Sequence, residues 1–384
     1  MRIAVTKGTL RIPPTYFAVQ HTQRLVAEDP GRFVVRTFAM AIDIGDPQLG
    51  GGDLDMVETA AVPGGSFRRR EVTMPLSLRL MSRAIRRFEP DVIHQHFATW
   101  ATPAVSAARA AGVPFIVTVH GSDVFAALRP LGAVPVSGRA MLAWHHLSVR
   151  RAFKEARSVL AVSRFLADRA IAAGADPTTV DVHYQGIDTD FFTPAVTESA
   201  SEAPEVLFVG TLSAAKGVLD LLKASTDALP RVEHRLVFVG DGPLRGALES
   251  VVEPGSHIDV MGSLGRVDVR ERLRRASVLV LPTQQNNGAR EAAGLVLLEA
   301  QACGVPVITY DSGGTPEMLQ QGRTGAVVPE GDADALRAAI VDVLGLSHAE
   351  RSQMGRDARR FVEEHRSLSA SAVALGERYA TVGA

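Results

Sequence analysis

Three charged side chains in the C-terminal half of this sequence could bind an anionic ligand that also carries hydroxyl groups. Glu291 and Glu299 stand eight residues apart in "EAAGLVLLEAQACGVPVI", on either side of a glycine-led apolar run. Lys216 belongs to "VGTLSAAKG", where a strand is expected to end at Gly210 and Lys216-Gly217 to open a helix. A lysine ammonium beside helix N-terminal amides suits a diphosphate, although Lys216 alone could equally be a surface lysine.

The stretch around the two glutamates could complete such a site. The helix "LVLLEAQAC" is expected to begin near Gly294, which leaves the amides of Gly294, Leu295 and Val296 free for phosphate oxygens. Glu291 precedes this helix, where a sugar could lie, and Glu299 lies inside it among apolar neighbours. A carboxylate there needs a hydrogen-bond partner, and a ribose diol is one. Taken singly, either glutamate could instead be an ordinary loop or helix-face charge.

A second polar group follows a predicted strand in the N-terminal half. In "VHGSDVF" that strand ends at His120, and Asp123 follows three residues later. A histidine there could contact a sugar or stabilise developing charge, although a strand-end histidine can also be purely structural. His94 and His96 are interpreted as pointing to opposite faces of their strand, which would make them poor partners for one metal ion.

No metal site is expected elsewhere either. The pairs Asp53-Asp55 and Asp188-Asp190 lie in an irregular "GGDLD" loop and in a linker, where turn and capping roles are favoured. Cys303 is the only cysteine in 384 residues, so internal disulfides are excluded. We interpret it as a core residue rather than a nucleophile.

The elements that must position these residues follow an α/β pattern. Short apolar runs alternate with amphipathic helical segments, which is typical of parallel sheets covered on both faces. The pattern stops at 187–204, a predicted linker rich in Pro, Ser, Thr and acidic residues, and then restarts. We therefore predict two Rossmann-like domains facing each other across a cleft, at 1–186 and 205–347, and helices at 348–384 that pack back across the junction.

Composition and charge restrict the class of protein further. The chain is 46% apolar and 22% charged, which is ordinary for a globular protein, and no apolar run approaches the ~20 residues of a membrane span. The start, "MRIAVTKGTL", has no cleavable signal pattern, so a cytoplasmic protein is expected. Residues 1–186 carry 22 Lys and Arg against 15 Asp and Glu, and residues 187–384 carry 19 against 27.

The basic N-terminal half is the side expected to meet an anionic partner, such as a phosphate-bearing acceptor or an acidic membrane surface. Arg79, Arg83, Arg86 and Arg87 have helical spacing on one face. This stripe indicates a solvated helix face, and the alternative is peripheral contact with the inner face of the membrane. No nucleic-acid partner is expected.

Taken together, the motifs resemble glycosyltransferase family 4, the group 1 glycosyltransferases, which are retaining transferases with the GT-B architecture. The similarity covers nearly the whole chain, and the E-x7-E stretch with its trailing "GVPVI" is the most specific part. The early "PPTYF" and the "HGSD" also resemble the subgroup that builds extracellular polysaccharides. The other matching stretches are "DVIHQHF", "VTVHGSD", "VLAVSRF", "HYQGIDTDFF", "VGTLSAAKG", "LVFVGDGPL", "SGGTPEML" and "TGAVVPEGD".

By this resemblance, the ligand is a nucleotide-diphosphate-sugar. Lys216 would bind its diphosphate, Glu299 its ribose and Glu291 the hydroxyls of its sugar, while His120 would approach that sugar from the other domain. His120, Lys216 and Glu291 would then be the catalytic residues. The other donor-binding residues implied by the resemblance are Gly210, Thr211, Gly217, Arg290, Ala293, Gly294, Leu295 and Val296.

The chain departs from the family's pattern at two points. Thr211 stands where family members usually have arginine. The loss of that cation could mean weaker donor binding, an altered donor, or replacement by a neighbour such as Arg290. The N-terminal loop also lacks the paired glycines common in the family. On the acceptor side the resemblance implies Thr15, Tyr16 and Asp123, with a hydroxyl-bearing acceptor that could be anionic or lipid-linked.

The resemblance implies a retaining reaction that needs neither a divalent metal nor another cofactor. Departure of a nucleoside diphosphate builds negative charge on its β-phosphate, which Lys216 and the amides at 294–296 would stabilise. Three other functions stay open: a nucleotide-sugar 2-epimerase, a donor hydrolase or phosphorylase, and a non-catalytic nucleotide-sugar sensor. The motifs do not distinguish uridine from guanosine donors.

Overall fold

The chain folds into two compact α/β units. The N-terminal unit comprises Met1–Gly186 together with Leu368–Ala384, and the C-terminal unit comprises Ile187–Ser367. Part of the predicted linker, residues 196–202, lies outside the described residues. The computed structural model describes residues 1–12, 17–44, 55–61, 67–195, 203–253 and 255–383.

The N-terminal unit is built on a parallel sheet. Its strands are β1 (Arg2–Ile12), β2 (Val34–Ile44), β3 (Met56–Glu58), β4 (Val92–His96), β5 (Phe115–Val119), β6 (Ser158–Ala161) and β7 (Val180–Val182). Within the described residues their order is β3-β2-β1-β4-β5-β6-β7. The strands β4, β5 and β6 are buried along their whole length, as expected for a sheet covered on both faces. The direction of strand addition reverses between β1 and β4.

The helices of this unit connect successive strands, as parallel pairing requires. They are α1 (Phe17–Glu28), α2 (Phe67–Arg87), α3 (Thr102–Ala111), α4 (Ser122–Leu128), α5 (Val136–Glu155) and α6 (Arg164–Ala172).

The C-terminal unit repeats the design. Its strands are β8 (Glu205–Val209), β9 (Arg235–Val239), β10 (Ile258–Val260), β11 (Val278–Leu281), β12 (Val307–Tyr310) and β13 (Gly325–Val328). Its helices are α7 (Val218–Ala228), α8 (Arg245–Glu249), α9 (Arg266–Leu273), α10 (Leu295–Ala302), α11 (Ala333–Gly345) and α12 (His348–His365). The parallel strands have the order β10-β9-β8-β11-β12-β13 in the described part of the unit, so the reversal lies between β8 and β11.

The last helix, α13 (Leu368–Gly383), follows the C-terminal unit in sequence but belongs to the N-terminal unit. Its buried face carries Ala372, Leu375 and Tyr379, which share one hydrophobic cluster with Ile3 of β1. The helical segment predicted after His348 is therefore two helices, with α12 in one unit and α13 in the other.

The predicted α/β class with parallel sheets is confirmed. The structure adds β3, which has three partly exposed residues at the sheet edge and no apolar run. The helix α2 begins at Phe67 and passes through Pro75, although proline usually marks a helix boundary. None of the helices in the described part of the chain combines the length and hydropathy that crossing a bilayer requires.

Candidate active site

Both units place their candidate residues where open α/β sheets bind ligands. In such sheets, ligands bind beyond the carboxyl ends of the strands, at the point where strand order reverses. In the C-terminal unit that point is flanked by the loops after β8 and β11. The first loop carries Lys216 and the second carries Glu291.

The structure brings Lys216 and Glu291 into direct contact. Lys216 ends the 3-10 turn Ala214–Lys216, and its Nζ donates a hydrogen bond to Oε2 of Glu291, 75 residues away in sequence. The two side chains are 28% and 22% exposed, so both remain accessible to a ligand. A phosphate oxygen could take the place of the glutamate on Lys216, and a sugar hydroxyl could take the place of the lysine on Glu291. The pair is therefore a charged site that a ligand can open.

A partly buried polar network ties the two loops together. One carboxylate oxygen of Asp220, on α7, accepts hydrogen bonds from Gln284 Nε2 at 2.6 Å and from the Tyr310 hydroxyl at 2.9 Å. The backbone amide of Gln284 donates to the carbonyl of Ala215 at 2.8 Å. Burial, reinforced by the bond to Asp220, raises the pKa of Tyr310, so its hydroxyl stays protonated and donates. Nothing in the sequence pattern indicates this network.

Gly217 allows the turn that presents Lys216. Its φ is +67°, in the left-handed region, and it joins the 3-10 turn to α7. A Cβ at this position would lie 1.9 Å from the carbonyl oxygen of Pro282 in the loop after β11. The two loops can approach this closely only because residue 217 has no side chain.

Gly217→Ala is expected to lower the free energy of unfolding of the C-terminal unit. The left-handed backbone alone costs about 1–2 kcal/mol with a Cβ, and the clash with Pro282 adds a further ~1–3 kcal/mol. Gly331→Ala is the matched control, since Gly331 has φ +79° but open space around a Cβ. Denaturant titrations of both variants check this, and equal losses would show that the contact with Pro282 is easily relieved.

The loop after β12 holds Glu291 from the other side. The amide of Gly314 donates to the Glu291 carbonyl at 2.9 Å. Gly313 has φ +66°, and a Cβ there would lie 2.1 Å from the same carbonyl oxygen. The backbone of Glu291 is therefore fixed by close contacts, while its carboxylate stays partly exposed.

Arg290, the proposed substitute for a missing phosphate-binding cation, is engaged elsewhere. Its guanidinium forms an ion pair with Glu330 and donates to Gln285 Oε1 at 3.0 Å. The Glu330 carboxylate in turn accepts a hydrogen bond from the backbone amide of Gln285 at 2.6 Å. Arg290 therefore braces the loop after β11, and its charge is already matched by a carboxylate.

The helix α10 begins where the sequence indicates. Gly294 is its N-cap, with φ +80°, and Leu295 is its first residue. The first backbone amides of a helix have no hydrogen-bond acceptor within the helix. The amides of Leu295 and Val296 are therefore available to donate hydrogen bonds to a ligand. Ala293 is buried, while Glu299 is partly exposed one turn into the helix.

In the N-terminal unit, both ring nitrogens of His120 face protein groups. His120 Nδ1 lies 3.2 Å from Gln185 Nε2, and His120 Nε2 lies 3.0 Å from His96 Nδ1. An amide nitrogen can only donate, so Nδ1 accepts and Nε2 carries the proton that is shared with His96. Burial lowers the pKa of His120 well below its ordinary value, and the nearby Lys7 ammonium adds to this shift. His120 is therefore a neutral imidazole in a fixed orientation.

Asp123 is fully buried, and its carboxylate binds backbone amides. Its carboxylate accepts hydrogen bonds from the amides of Ala98, His120, Gly121 and Val124, at 2.9 to 3.1 Å. Burial raises the pKa of Asp123, and these backbone donors oppose that shift. Asp123 thus holds the turn that positions His120. The other acceptor-side predictions, at positions 15 and 16, lie outside the described residues.

The prediction that His94 and His96 point to opposite faces is wrong. Their ring centroids lie 4.5 Å apart, because residues two apart in a strand share a face. His94 lies 2.6 Å from the Tyr379 hydroxyl and 2.7 Å from the Thr118 hydroxyl. Burial lowers the pKa of His94 to about 3. Among the residues described, no group of His, Cys, Asp and Glu is arranged to hold a metal ion.

The D-x-D pairs have local roles where the structure describes them. Asp188 Oδ1 accepts hydrogen bonds from the backbone amides of Asp190 at 3.2 Å and Phe191 at 3.1 Å. These are turn contacts of the kind predicted. Asp55 forms an ion pair with Arg36 at 2.6 Å, and position 53 lies outside the described residues.

Cys303 is buried, which raises its pKa to about 12 and makes it unreactive as a nucleophile.

Two family models match the chain, one in each half. Residues 32–191 match the family described as Glycosyltransferase Family 4, and residues 203–345 match Glycosyl transferases group 1. The second match includes Lys216, Glu291 and Glu299, and the first includes His120.

Named relatives match along most of the chain. The D-inositol 3-phosphate glycosyltransferase of Pseudarthrobacter chlorophenolicus is 30% identical over 318 residues, which cover 78% of this chain and 73% of that protein. A GDP-mannose-dependent monoacylated α-(1-6)-phosphatidylinositol monomannoside mannosyltransferase of Corynebacterium glutamicum is 28% identical, over 80% of each chain. The sulfoquinovosyl transferase SQD2 of Arabidopsis thaliana is 26% identical over 84% of this chain, which spans 63% of that protein.

Solved structures share the fold over nearly the full length. Anabaena Alr3699/HepE in complex with UDP has a TM-score of 0.78 at 16% identity, covering 99% of this chain and 100% of that chain. Sucrose-phosphate synthase from Thermosynechococcus elongatus has a TM-score of 0.78 at 19% identity, covering 100% of this chain and 99% of that one. The fold is thus that of GT-B glycosyltransferases, and with the sequence matches it establishes that the chain belongs to the family 4, or group 1, glycosyltransferases.

Proposed function

We propose that this glycosyltransferase moves a sugar from a nucleotide-diphosphate-sugar to a hydroxyl acceptor, with retention at the anomeric carbon and without a divalent metal. The observation that carries the proposal is the accessible pair of Lys216 and Glu291 at the switch point of the C-terminal sheet. Lys216 and the first amides of α10 would bind the diphosphate, Glu291 the sugar hydroxyls, and Glu299 the ribose. His120 would contact the donor sugar as a neutral, oriented group.

This division of roles follows the charges of the reaction. As the bond from the anomeric carbon to the β-phosphate oxygen breaks, negative charge builds on the phosphate and the carbon becomes cation-like. Lys216 and the helix amides stabilise the phosphate charge with donors that are already in place. The acceptor hydroxyl adds to the same face of the sugar and passes its proton to the departing diphosphate, which requires no protein nucleophile.

The relatives suggest the classes of substrate. Their names specify GDP-mannose donors and phosphatidylinositol mannoside or inositol phosphate acceptors, and the related structures contain UDP or UDP-glucose. We accordingly propose a UDP- or GDP-sugar donor and an acceptor from polysaccharide, glycolipid or other glycoconjugate biosynthesis. Peripheral contact with an anionic membrane would involve α2, where Leu76 and Leu80 are exposed beside the stripe that contains Arg79 and Arg83.

Incubation with a labelled donor tests the proposed function, first with and then without candidate acceptors. Transfer to an acceptor with an unchanged anomeric configuration, read by NMR and persisting in EDTA, would support it. Epimerised donor would identify a 2-epimerase, and free sugar a hydrolase. No turnover with any acceptor would favour a nucleotide-sugar sensor, and loss of activity that magnesium restores would overturn the metal-free mechanism.

Thr211→Arg is expected to tighten binding of the donor nucleotide about tenfold or more, because a charge-assisted hydrogen bond to phosphate contributes roughly 1.5–3 kcal/mol. Thr211 lies exposed in the loop after β8, on the same side of the sheet as Lys216. Calorimetric titration with UDP and GDP measures the change. Thr226→Arg on α7 is the control, since it adds the same charge at another exposed threonine. Weaker binding by Thr211→Arg would instead indicate that the threonine itself fits the ligand.

A further inference from the structure

Lys7 lies at the switch point of the N-terminal sheet, although no prediction assigned it a role. The last pairing of β1 with β4 joins Thr6 to Gln95, so Lys7 lies level with His96, the final residue of β4. This is the carboxyl end of β4, where open α/β sheets bind ligands, while β1 continues along β2 to Ile12. Lys7 is only 6% exposed, which is unusual for a lysine.

The ammonium of Lys7 has few partners for a buried charge. It donates to the Thr9 carbonyl at 2.8 Å and lies 4.8 Å from the centre of the Phe97 ring. A lysine has three donors, and of the described residues no carboxylate forms an ion pair with this one. Burial lowers the pKa of Lys7 to about 8, so the ammonium is largely charged at neutral pH. A buried cation without a counter-ion is costly unless a ligand supplies the negative charge.

Lysine is rare in this chain, so a lysine at the switch point of a sheet is a stronger indication of a specific role. Only four residues of the sequence are lysines, and the other 37 basic residues are arginines. Two of the four, Lys7 and Lys216, lie at the switch points of their respective sheets. Lys154 and Lys223 are on helices, and Lys223 forms an exposed ion pair with Asp227.

We propose that Lys7 binds an oxyanion, a phosphate or carboxylate group, carried by the sugar acceptor. The assignment to the acceptor rests on the proposed function, in which the donor diphosphate is already bound by Lys216 and α10. His96, the last residue of β4, and His120, which follows β5, both interact electrostatically with Lys7 and also with His21 and His94. Burial keeps these histidines neutral, so Lys7 supplies the positive charge of the site.

The proposal predicts a specific pH dependence. The protonated form of Lys7 attracts an anion, so oxyanion affinity is highest below pH 8 and decreases as the pH rises above that value. The bound anion favours the ammonium and raises the pKa of Lys7, by about one unit for a single close contact. The histidines around it do not change charge in this range, because burial lowers their pKa values.

NMR of the full chain labelled with 13C at lysine Cε tests this inference, because four lysines give four signals. Three signals are assigned by their loss in the variants Lys154→Arg, Lys216→Arg and Lys223→Arg. The remaining signal is that of Lys7. We expect the Lys7 signal to titrate near pH 8 without ligand. In saturating UDP, added inorganic phosphate should raise this midpoint by about one unit, whereas UDP alone should leave it in place.

Each other outcome has a distinct meaning. A Lys7 midpoint that phosphate does not move overturns the oxyanion site. A midpoint that UDP alone raises assigns Lys7 to the donor diphosphate and overturns the acceptor assignment. The Lys216 signal reports separately on the proposed function, since its failure to respond to UDP would refute the donor site whatever Lys7 does.

A variant provides a second measurement. Inorganic phosphate, added in the presence of UDP, should raise the Tm of the unmodified chain through binding to the folded state. Lys7→Met keeps a long side chain but removes the charge, and should abolish this rise. Lys223→Met, which removes an exposed lysine, should retain it. A phosphate-dependent rise of equal size in Lys7→Met would refute the site.

Discussion

Lys216→Met is expected to lower kcat by about two to three orders of magnitude, which is the usual cost of removing one preorganised donor from a developing anion. The lysine charge interacts more strongly with the departing diphosphate than with the intact donor, because negative charge increases as the bond breaks. The loss should therefore affect kcat more than the KM for the donor. Methionine keeps most of the length of the side chain, so the turn at Ala214–Lys216 should persist.

Steady-state kinetics with the donor and acceptor found in the transfer assay measure this effect. Lys223→Met is the matched control, because Lys223 is the next lysine along the chain and pairs with Asp227 on the surface of α7. A decrease of less than tenfold in Lys216→Met would show that the helix amides stabilise the leaving group without it. A loss confined to KM would assign Lys216 to ground-state binding.

Glu291→Ala is expected to reduce turnover about a hundredfold or more while leaving the fold intact. The carboxylate would lose its hydrogen bonds to the donor sugar, and Lys216 would lose the partner that orients its ammonium. Stability should change little, because a partly exposed ion pair contributes only about 0–1 kcal/mol. The network of Asp220, Gln284 and Tyr310 remains to hold the loops.

A double-mutant cycle sharpens this second prediction. If Lys216 and Glu291 act as a unit on one ligand, the combined variant should lose much less than the product of the two single losses. Glu249→Ala is the control, since it breaks an exposed ion pair with Arg245 elsewhere in the same unit. Unchanged turnover in Glu291→Ala would remove that residue from the site.

The sequence predicts the sheets well because their strands are short, apolar and buried on both faces. The run Val278–Leu281 is fully buried. Polar Ser277 precedes it and Pro282 follows it, so the sequence shows where the strand begins and ends. The strand β3 was missed because three partly exposed edge residues carry no such signal. The start of α10 was also predictable, since Gly294 is the residue that permits its left-handed N-cap.

The rest of the candidate site depends on contacts between distant residues. The ion pair of Arg290 with Glu330 spans 40 residues, and no local pattern shows it. Lys7 has no role that a local sequence pattern assigns. Its relation to His96 and His120 follows from the order of the strands. The error about His94 and His96 was one of geometry, since alternate residues of a strand lie on one face.

The position of α13 has a consequence for how the protein is made. Domains usually fold in order as a chain leaves the ribosome. Here the N-terminal unit emerges first but lacks Ala372, Leu375 and Tyr379, which fill its core beside Ile3. The C-terminal unit, Ile187–Ser367, is one uninterrupted segment and is complete earlier. The half of the protein synthesised first is therefore expected to finish folding last, and its apolar sheet surface stays uncovered throughout synthesis of the other half.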